Sequence, residues 1–381
     1  MKQRYFLPEG SILDGNPTLR PIRPRRSGLE ILEFAILASR PNGKFQFLTA
    51  CFLMLAVFFS PLVATASDIT QQLHRPLNNT SLRESRDRAD SLLRIGEQQQ
   101  ITGYADKTID SCLEALEIYH ALGDYKAQGM TYDLLAKAYI QLNRFQEGED
   151  ALRRRLAIAR DTKDFQAQIF ALNNISTVLL QKGEFTPAGK TVEEALTIAQ
   201  NIQNSAGEGL SLSNLGLVNA RLGNYNKAIK LYETALSFRR QVGDILGETN
   251  TLNNLGDAYL AMGNYPDTIG TYGAALRIAK TTGDRTNYLR AIDGLVTAHS
   301  SVGRYERAFD LLEQRLVTAK ELQNQREEFK SFMTYANLYE QLNNYLTARH
   351  FYERALVLAK ALQDSKQEVF LVDKLIKLPK R

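Results

Sequence analysis

Apolar residues return along this chain at intervals of three and then four, in blocks that recur every 40 residues. One block carries Leu252, Leu255 and Tyr259. Others carry Tyr132, Leu135 and Tyr139, then Leu172, Ile175 and Leu179, then Phe332, Tyr335 and Tyr339. Spacing of this kind marks a single buried face of a helix. Just after the second member stands a small residue: Gly96, Ala136, Ser176, Gly216, Gly256 and Ala336, with Val296 as the exception. A small side chain there lets a partner helix approach closely. A second apolar series follows in each block. It includes Ala188, Ala228 and Ala308 early, then Ala115, Ala195, Ala235, Ala275 and Ala355, and an unbroken run of leucines from Leu116 to Leu356 at 40-residue steps.

The breaks between these stripes keep the same register. Gly103, Asn143, Gly183, Gly223, Gly263, Gly303 and Asn343 are spaced by 40, and all are residue types that accept the left-handed conformation ending a helix. About half a period later come Gly123, Lys163, Gln203, Gly243, Gly283, Gln323 and Gln363, each followed by Asp or Asn, which are good N-caps. Pro187 and Pro266 fall in first turns of second helices, where a missing N–H does no harm. Each unit is therefore predicted to be two helices joined by tight turns. The pairs fall near 84–120, 124–160, 164–200, 204–240, 244–280, 284–320 and 324–360. After Asp364 the pattern restarts with Val372, Leu375 and Ile376, as expected of a capping helix. A repeat of this length predicts a stacked helical solenoid, in which each unit packs only on its neighbours.

Charge changes the picture little. The net charge is +5, but residues 1–44 hold eight Lys or Arg against four acids, leaving +1 for everything after. A near-neutral array has no bulk field to hold a phosphate backbone, so no nucleic acid is expected as a partner. The same 1–44 segment holds five of the ten prolines and reads as a disordered basic leader. From Phe45 to Ser67 no residue is charged. Lys44 precedes an apolar core, Pro61 breaks it, and Ala64, Thr65 and Ala66 supply small residues. That order is a secretory signal with cleavage expected after Ala66. The alternative is a membrane anchor over 45–66, since about 20 apolar residues cross a bilayer. A leader this long before a signal also leads us to expect translation to begin nearer Arg40. Residues 67–83 read as a linker and 84–378 as the solenoid. The two cysteines, Cys51 and Cys112, give no disulfide framework.

The repeat resembles the tetratricopeptide repeat (TPR). Leu212, Leu215, Gly216, Ala228, Tyr232 and Ala235 fit that family's pattern, as do Leu252, Leu255, Gly256, Tyr259, Tyr272 and Ala275. No unit has the family's usual Trp, and the period is 40 instead of 34, similar to the longer repeats of kinesin light chains and spindle-orientation scaffolds. The resemblance implies an all-α, right-handed α-α superhelix of about seven helix pairs plus a C-terminal capping helix. It also implies that first helices line a concave groove, and that the residue two before the small position hydrogen-bonds an extended peptide. Here that residue is Asn174, Asn214 and Asn254, with Asn173, Ser213 and Asn253 beside it. An amide can pair with a peptide N–H and C=O together. Asn250, Arg290 and Lys330 share a further groove register, where the two cations could hold an acidic partner, and Asp257 is counted with them. The competing reading is a plain polar helix face.

Catalysis finds no support in the residues. His74, His120, His299 and His350 are scattered without metal spacing, and there is no HExxH, GxSxG, P-loop or CxxC. His299 takes the aromatic position of its unit and is expected to be packed in the core. No cofactor is expected. The sequence therefore points to a non-enzymatic interaction scaffold that binds a peptide or protein segment in its groove. The alternatives are a structural array associating through convex or end surfaces and, less favoured, a regulatory protein associated with nucleic acid.

Overall fold

A computed structural model describes residues 79–379 of the chain. The 1–44 leader, the 45–66 segment and the linker up to residue 78 lie outside the described residues. Among those described there are fifteen helices and no strand. Seven pairs succeed one another: α1 (Asn79–Ile101) with α2 (Ala105–Leu122), α3 (Tyr125–Gln141) with α4 (Phe145–Asp161), α5 (Phe165–Gln181) with α6 (Phe185–Asn201), α7 (Ser205–Arg221) with α8 (Tyr225–Gln241), α9 (Ile245–Ala261) with α10 (Tyr265–Thr282), α11 (Arg285–Ser301) with α12 (Tyr305–Glu321), and α13 (Gln325–Gln341) with α14 (Tyr345–Ala361). A final helix, α15 (Ser365–Lys377), follows. The array is the helical-repeat solenoid that the periodicity predicts. α1 starts inside the stretch read as linker, so the first helix is longer than its pattern indicates. No described helix is long and apolar enough to cross a membrane.

The turns explain the pairing. Every twentieth residue from Gly103 to Gln363 has a positive φ. Eight are glycine and six are Asn143, Lys163, Gln203, Gln323, Asn343 and Gln363, with φ between 50° and 59°. The left-handed conformation costs a non-glycine residue roughly 1 kcal/mol, so the flanking packing must hold these six in place. After each second-helix turn an Asp or Asn caps the next first helix. Asp124, Asp164, Asn204, Asp244, Asp284, Asn324 and Asp364 all accept a backbone N–H from the first turn.

Within a pair, the small residue of the first helix is matched to a residue sixteen positions later. Gly216 faces the ring of Tyr232 and Gly256 the ring of Tyr272, so closely that a Cβ would lie 2.6 and 2.9 Å from ring carbons. Where the later residue is smaller, the first can grow: Val296 goes with Leu312 and Ser176 with Val192, all four buried. Val296, the exception in the pattern, is thus accommodated. Tyr272 also runs under the next unit, because Gly294 would put a Cβ inside its ring. The Tyr272 ring is held between Gly256 and Gly294.

Two arginines, Arg315 buried and Arg155 half-buried, replace the later alanine. Arg315 is 1% exposed and pairs with Asp293 and with Glu327, at 2.7 Å to the latter, and it donates to Ser331 Oγ at 2.7 Å. Arg155 pairs with Asp133 at 3.0 Å. In both units the cation faces an aspartate at one register position of the first helix. Of the five units with alanine in the second helix, three carry Asn173, Ser213 or Asn253 there instead, and the first and last carry Leu93 and Met333. His299 is 8% exposed, and burial, then Arg304 and Arg307, hold its pKa down, in line with a packed core histidine. Cys112 is fully buried and its thiol is pushed up to about 12, first by burial and then by Glu97, which leaves it unreactive.

α15 buries Leu371 against the last pair, but Val369 and Ile376 are 71% and 74% exposed. The cap therefore presents an apolar outer face, unlike the polar face that closes most solenoids.

Gly294→Ala should lower stability by about 1–3 kcal/mol through overpacking against Tyr272. In a Tyr272→Leu background the same change should cost far less. Thermal melts of the four proteins of this cycle test the contact, and additive losses would remove it.

Candidate functional site

The first helices form one row with a continuous open face. Neighbours in the row touch directly through side chains. Asn173 donates to Ser211 Oγ at 2.9 Å and to Ile169 O at 2.8 Å, and Asn214 donates to Asn173 Oδ1 at 2.9 Å. Ser213 and Thr251 share a bond of 3.1 Å, and Asn253 donates to Asn287 Oδ1 at 2.9 Å. Asn173, Ser213 and Asn253 are 1%, 5% and 0% exposed. These three were expected in the groove. The structure places them inside the seam between units, where an amide or hydroxyl locks neighbouring helices together. The reason is the register: they stand where the aspartates that meet Arg155 and Arg315 stand in other units.

The remaining seven residues divide again. Arg290 donates to Asn254 Oδ1 at 2.7 Å and to Asp257, and the Tyr272 hydroxyl donates to the other oxygen of Asp257. Burial first, then Asp257, raises the Tyr272 pKa, so the phenol stays protonated as the donor. Asn254, Asp257, Arg290 and Tyr272 therefore form a closed polar cluster. Lys330 is likewise joined to Glu327 at 2.7 Å. Glu327 is held below the usual carboxylate range despite burial, by Lys330 and Arg315. Both groove cations are thus neutralised by carboxylates of their own chain. Asn214 is half-buried and turned into the seam. Only Asn174 and Asn250 among the ten are exposed without a side-chain hydrogen bond.

Other side chains of the open face were not singled out from the sequence. The register of Asn250, Arg290 and Lys330 continues backwards to Leu210, Phe170 and Met130. Met130 is 50% exposed and Phe170 46%, and Leu210 is half-buried. Following that register through all six units would have found them. At the end of this strip lies a cavity of about 420 Å³ lined by first-helix residues alone, including Ile101, Met130, Leu134 and Lys137. A second unforeseen group is the Tyr232 hydroxyl, which is buried and has no partner. Tyr272 finds Asp257 fifteen residues earlier, whereas Leu217 stands fifteen residues before Tyr232. Among the described residues no cluster of His, Cys, Asp or Glu could hold a metal ion.

Profiles of the tetratricopeptide repeat match residues 168–241, 248–321 and 329–361. None of the curated proteins matches the chain. Among solved structures, apo RapI is 13% identical with a TM-score of 0.57, over 72% of this chain and 99% of that one. The Rap conjugation gene regulator of plasmid pLS20, solved with the Phr* peptide, is 17% identical with a TM-score of 0.53, over 73% and 75%. A signal transduction ATPase with a tetratricopeptide repeat sensor from Pyrococcus horikoshii is 19% identical with a TM-score of 0.56, over 76% of this chain and 45% of that one. At these identities the likeness is one of fold.

Tyr272→Phe removes a bond to a carboxylate and should cost about 1–2 kcal/mol. Tyr232→Phe removes a hydroxyl with no partner and should leave stability unchanged or raise it. Denaturant midpoints of the two variants check this; equal losses would contradict the assignment of the two hydroxyls.

Proposed function

We propose that this chain, which belongs to the tetratricopeptide repeat family, is a non-catalytic scaffold that holds a peptide or protein segment on the open face of its first helices. The observation carrying this reading is the pair Asn174 and Asn250. Their amides are exposed and make no side-chain hydrogen bond, whereas Asn214, Asn254, Asp257, Arg290 and Lys330 along the same row of helices are engaged within the chain. An amide of this kind can bond a peptide N–H and C=O at once. That a protein of similar fold has been solved with a bound peptide, the Phr* peptide, supports a peptide or protein partner in general. No cofactor and no nucleic acid enter this reading. The 45–66 segment, with its positive flank, apolar core, break and small residues, favours an exported protein beginning at Ser67; retention of that segment would make it a membrane-anchored one.

Assembly through an end surface is a second reading, favoured by one observation. Val369, Val372 and Ile376 are exposed, yet the same register positions are buried or nearly so in the units before them.

The test is capture of the cognate partner by the processed chain, whose N terminus should read Ser67. Replacing both Asn174 and Asn250 by Ala should weaken capture roughly tenfold, as the loss of about two hydrogen bonds would. Helicity should be unchanged. Undiminished capture by the double variant would remove the first-helix face as the binding surface.

A further inference from the structure

A separate cavity of about 460 Å³ is lined by α2, α3 and α4. Leu113, Leu116 and Leu135 give it apolar walls, and Tyr132, Tyr139 and His120 give it aromatic ones. His120 and the Tyr132 hydroxyl share a bond of 3.1 Å, which fixes two of these walls. The space exists because Ala151 is small. Its register position holds Thr191, Leu231, Thr271, Leu311 and Phe351 in the later units.

The last of these counterparts shows what fills such a cleft. The Phe351 ring stacks on Tyr335 and Tyr339, with centroids 4.6 and 5.7 Å apart and interplanar angles of 10° and 5°. Phe332 lies 6.2 Å from the same ring. By register, Phe332, Tyr335 and Tyr339 are the counterparts of Tyr132, Leu135 and Tyr139. The chain thus places its own aromatic ring where the earlier unit leaves a space, in the stacked packing that aromatic rings favour.

Charge distinguishes the two clefts. The empty one has Glu117, Glu147 and Asp150 against Arg154, and the filled one carries Val317, Thr347 and His350 at the three acidic positions. The filled cleft has one acid, Glu313, against Lys320 and Arg354. Glu117 and Asp150 are exposed, and the Glu117 side chain has no ion pair or hydrogen bond. Asp150 accepts from Gln146 at 3.3 Å. Glu147 is held by Arg144 at 2.9 Å, and Arg144 lies over Tyr139 without lining the cavity. A side chain entering here meets free carboxylates, which complement a cation beside it.

We propose that the cleft between α2 and α4 is a second docking site, which receives an aromatic side chain of a partner segment with a lysine or arginine beside it. The ring takes the place that Phe351 takes in its own unit, against Tyr132, Leu135 and Tyr139. The neighbouring cation meets Glu117 and Asp150. This site does not depend on the first-helix face.

The experiment is fluorescence anisotropy of a labelled synthetic peptide, Gly-Arg-Phe-Arg-Gly, titrated with the full chain. Binding should weaken about tenfold or more when the peptide's Phe becomes Ala or its arginines become glutamates. It should weaken as much in Ala151→Phe, whose own ring fills the space. Glu117→Lys changes an exposed residue, leaves the core untouched, and should also weaken it about tenfold. The double variant Asn174→Ala, Asn250→Ala should bind the peptide as the parent does, which separates this site from the first-helix face. Absence of saturable binding, or binding unchanged in Glu117→Lys, would overturn the proposal whether or not Ala151→Phe folds. Equal affinity for the glutamate peptide would overturn it as well. Loss of binding in the asparagine double variant would move the peptide to the first-helix face and overturn this site alone. Self-association of the full chain that Ala151→Phe abolishes would assign the cleft to a second copy and likewise overturn it.

Discussion

A left-handed residue at every twentieth position is the constraint from which the rest of this solenoid follows. It fixes each helix at about seventeen residues, so each unit returns to the same rotational phase as the one before. With phase fixed, a given register position has the same neighbours in every unit. Side chains can then be matched locally, a large ring against a glycine or a branched residue against another, without disturbing the units on either side. Six non-glycine residues hold the strained conformation, which shows that the packing around the turns outweighs the local cost.

The same fixed phase separates adjacent asparagines into different roles. Asn173 and Asn174 differ by one residue and about 100° of helix rotation. Asn173 is turned into the neighbouring unit and holds Ser211 and Asn214, whereas Asn174 is turned to the open face and holds nothing. Asn253 and Asn254 repeat the division, except that Asn254 accepts from Arg290. Polar chemistry in this array thus serves cohesion in the seam and in the later half of the open face. Of the ten asparagines, serine and charged residues expected in the groove, it leaves Asn174 and Asn250 unengaged.

Much of the fold was legible because its signals are periodic. The glycines, the Asx caps and the i, i+3, i+7 stripe each recur in up to seven copies, so an exception such as Val296 did not obscure the pattern. The site was less legible because a polar residue at helical spacing does not reveal which neighbour it meets. Nothing in the spacing shows that Asn173 faces Ser211 or that Arg290 faces Asp257, since those contacts cross 33 to 41 residues of chain. The lapse of the asparagine series at Gly294 looks like a loss in the sequence. In the structure it is the clearance that the Tyr272 ring requires. Met130, Phe170 and Leu210 were overlooked because apolar residues on a solenoid helix read as core until exposure is known.

We propose that a partner sits on the first-helix face that carries Asn174 and Asn250. Site-specific photo-crosslinking in cells tests it most directly, with the reactive residue placed at position 170 and, separately, at position 357, which is 67% exposed on the second helix α14. The account predicts a discrete adduct from position 170 and none of the same mass from position 357. An adduct from 357 with none from 170 would contradict it.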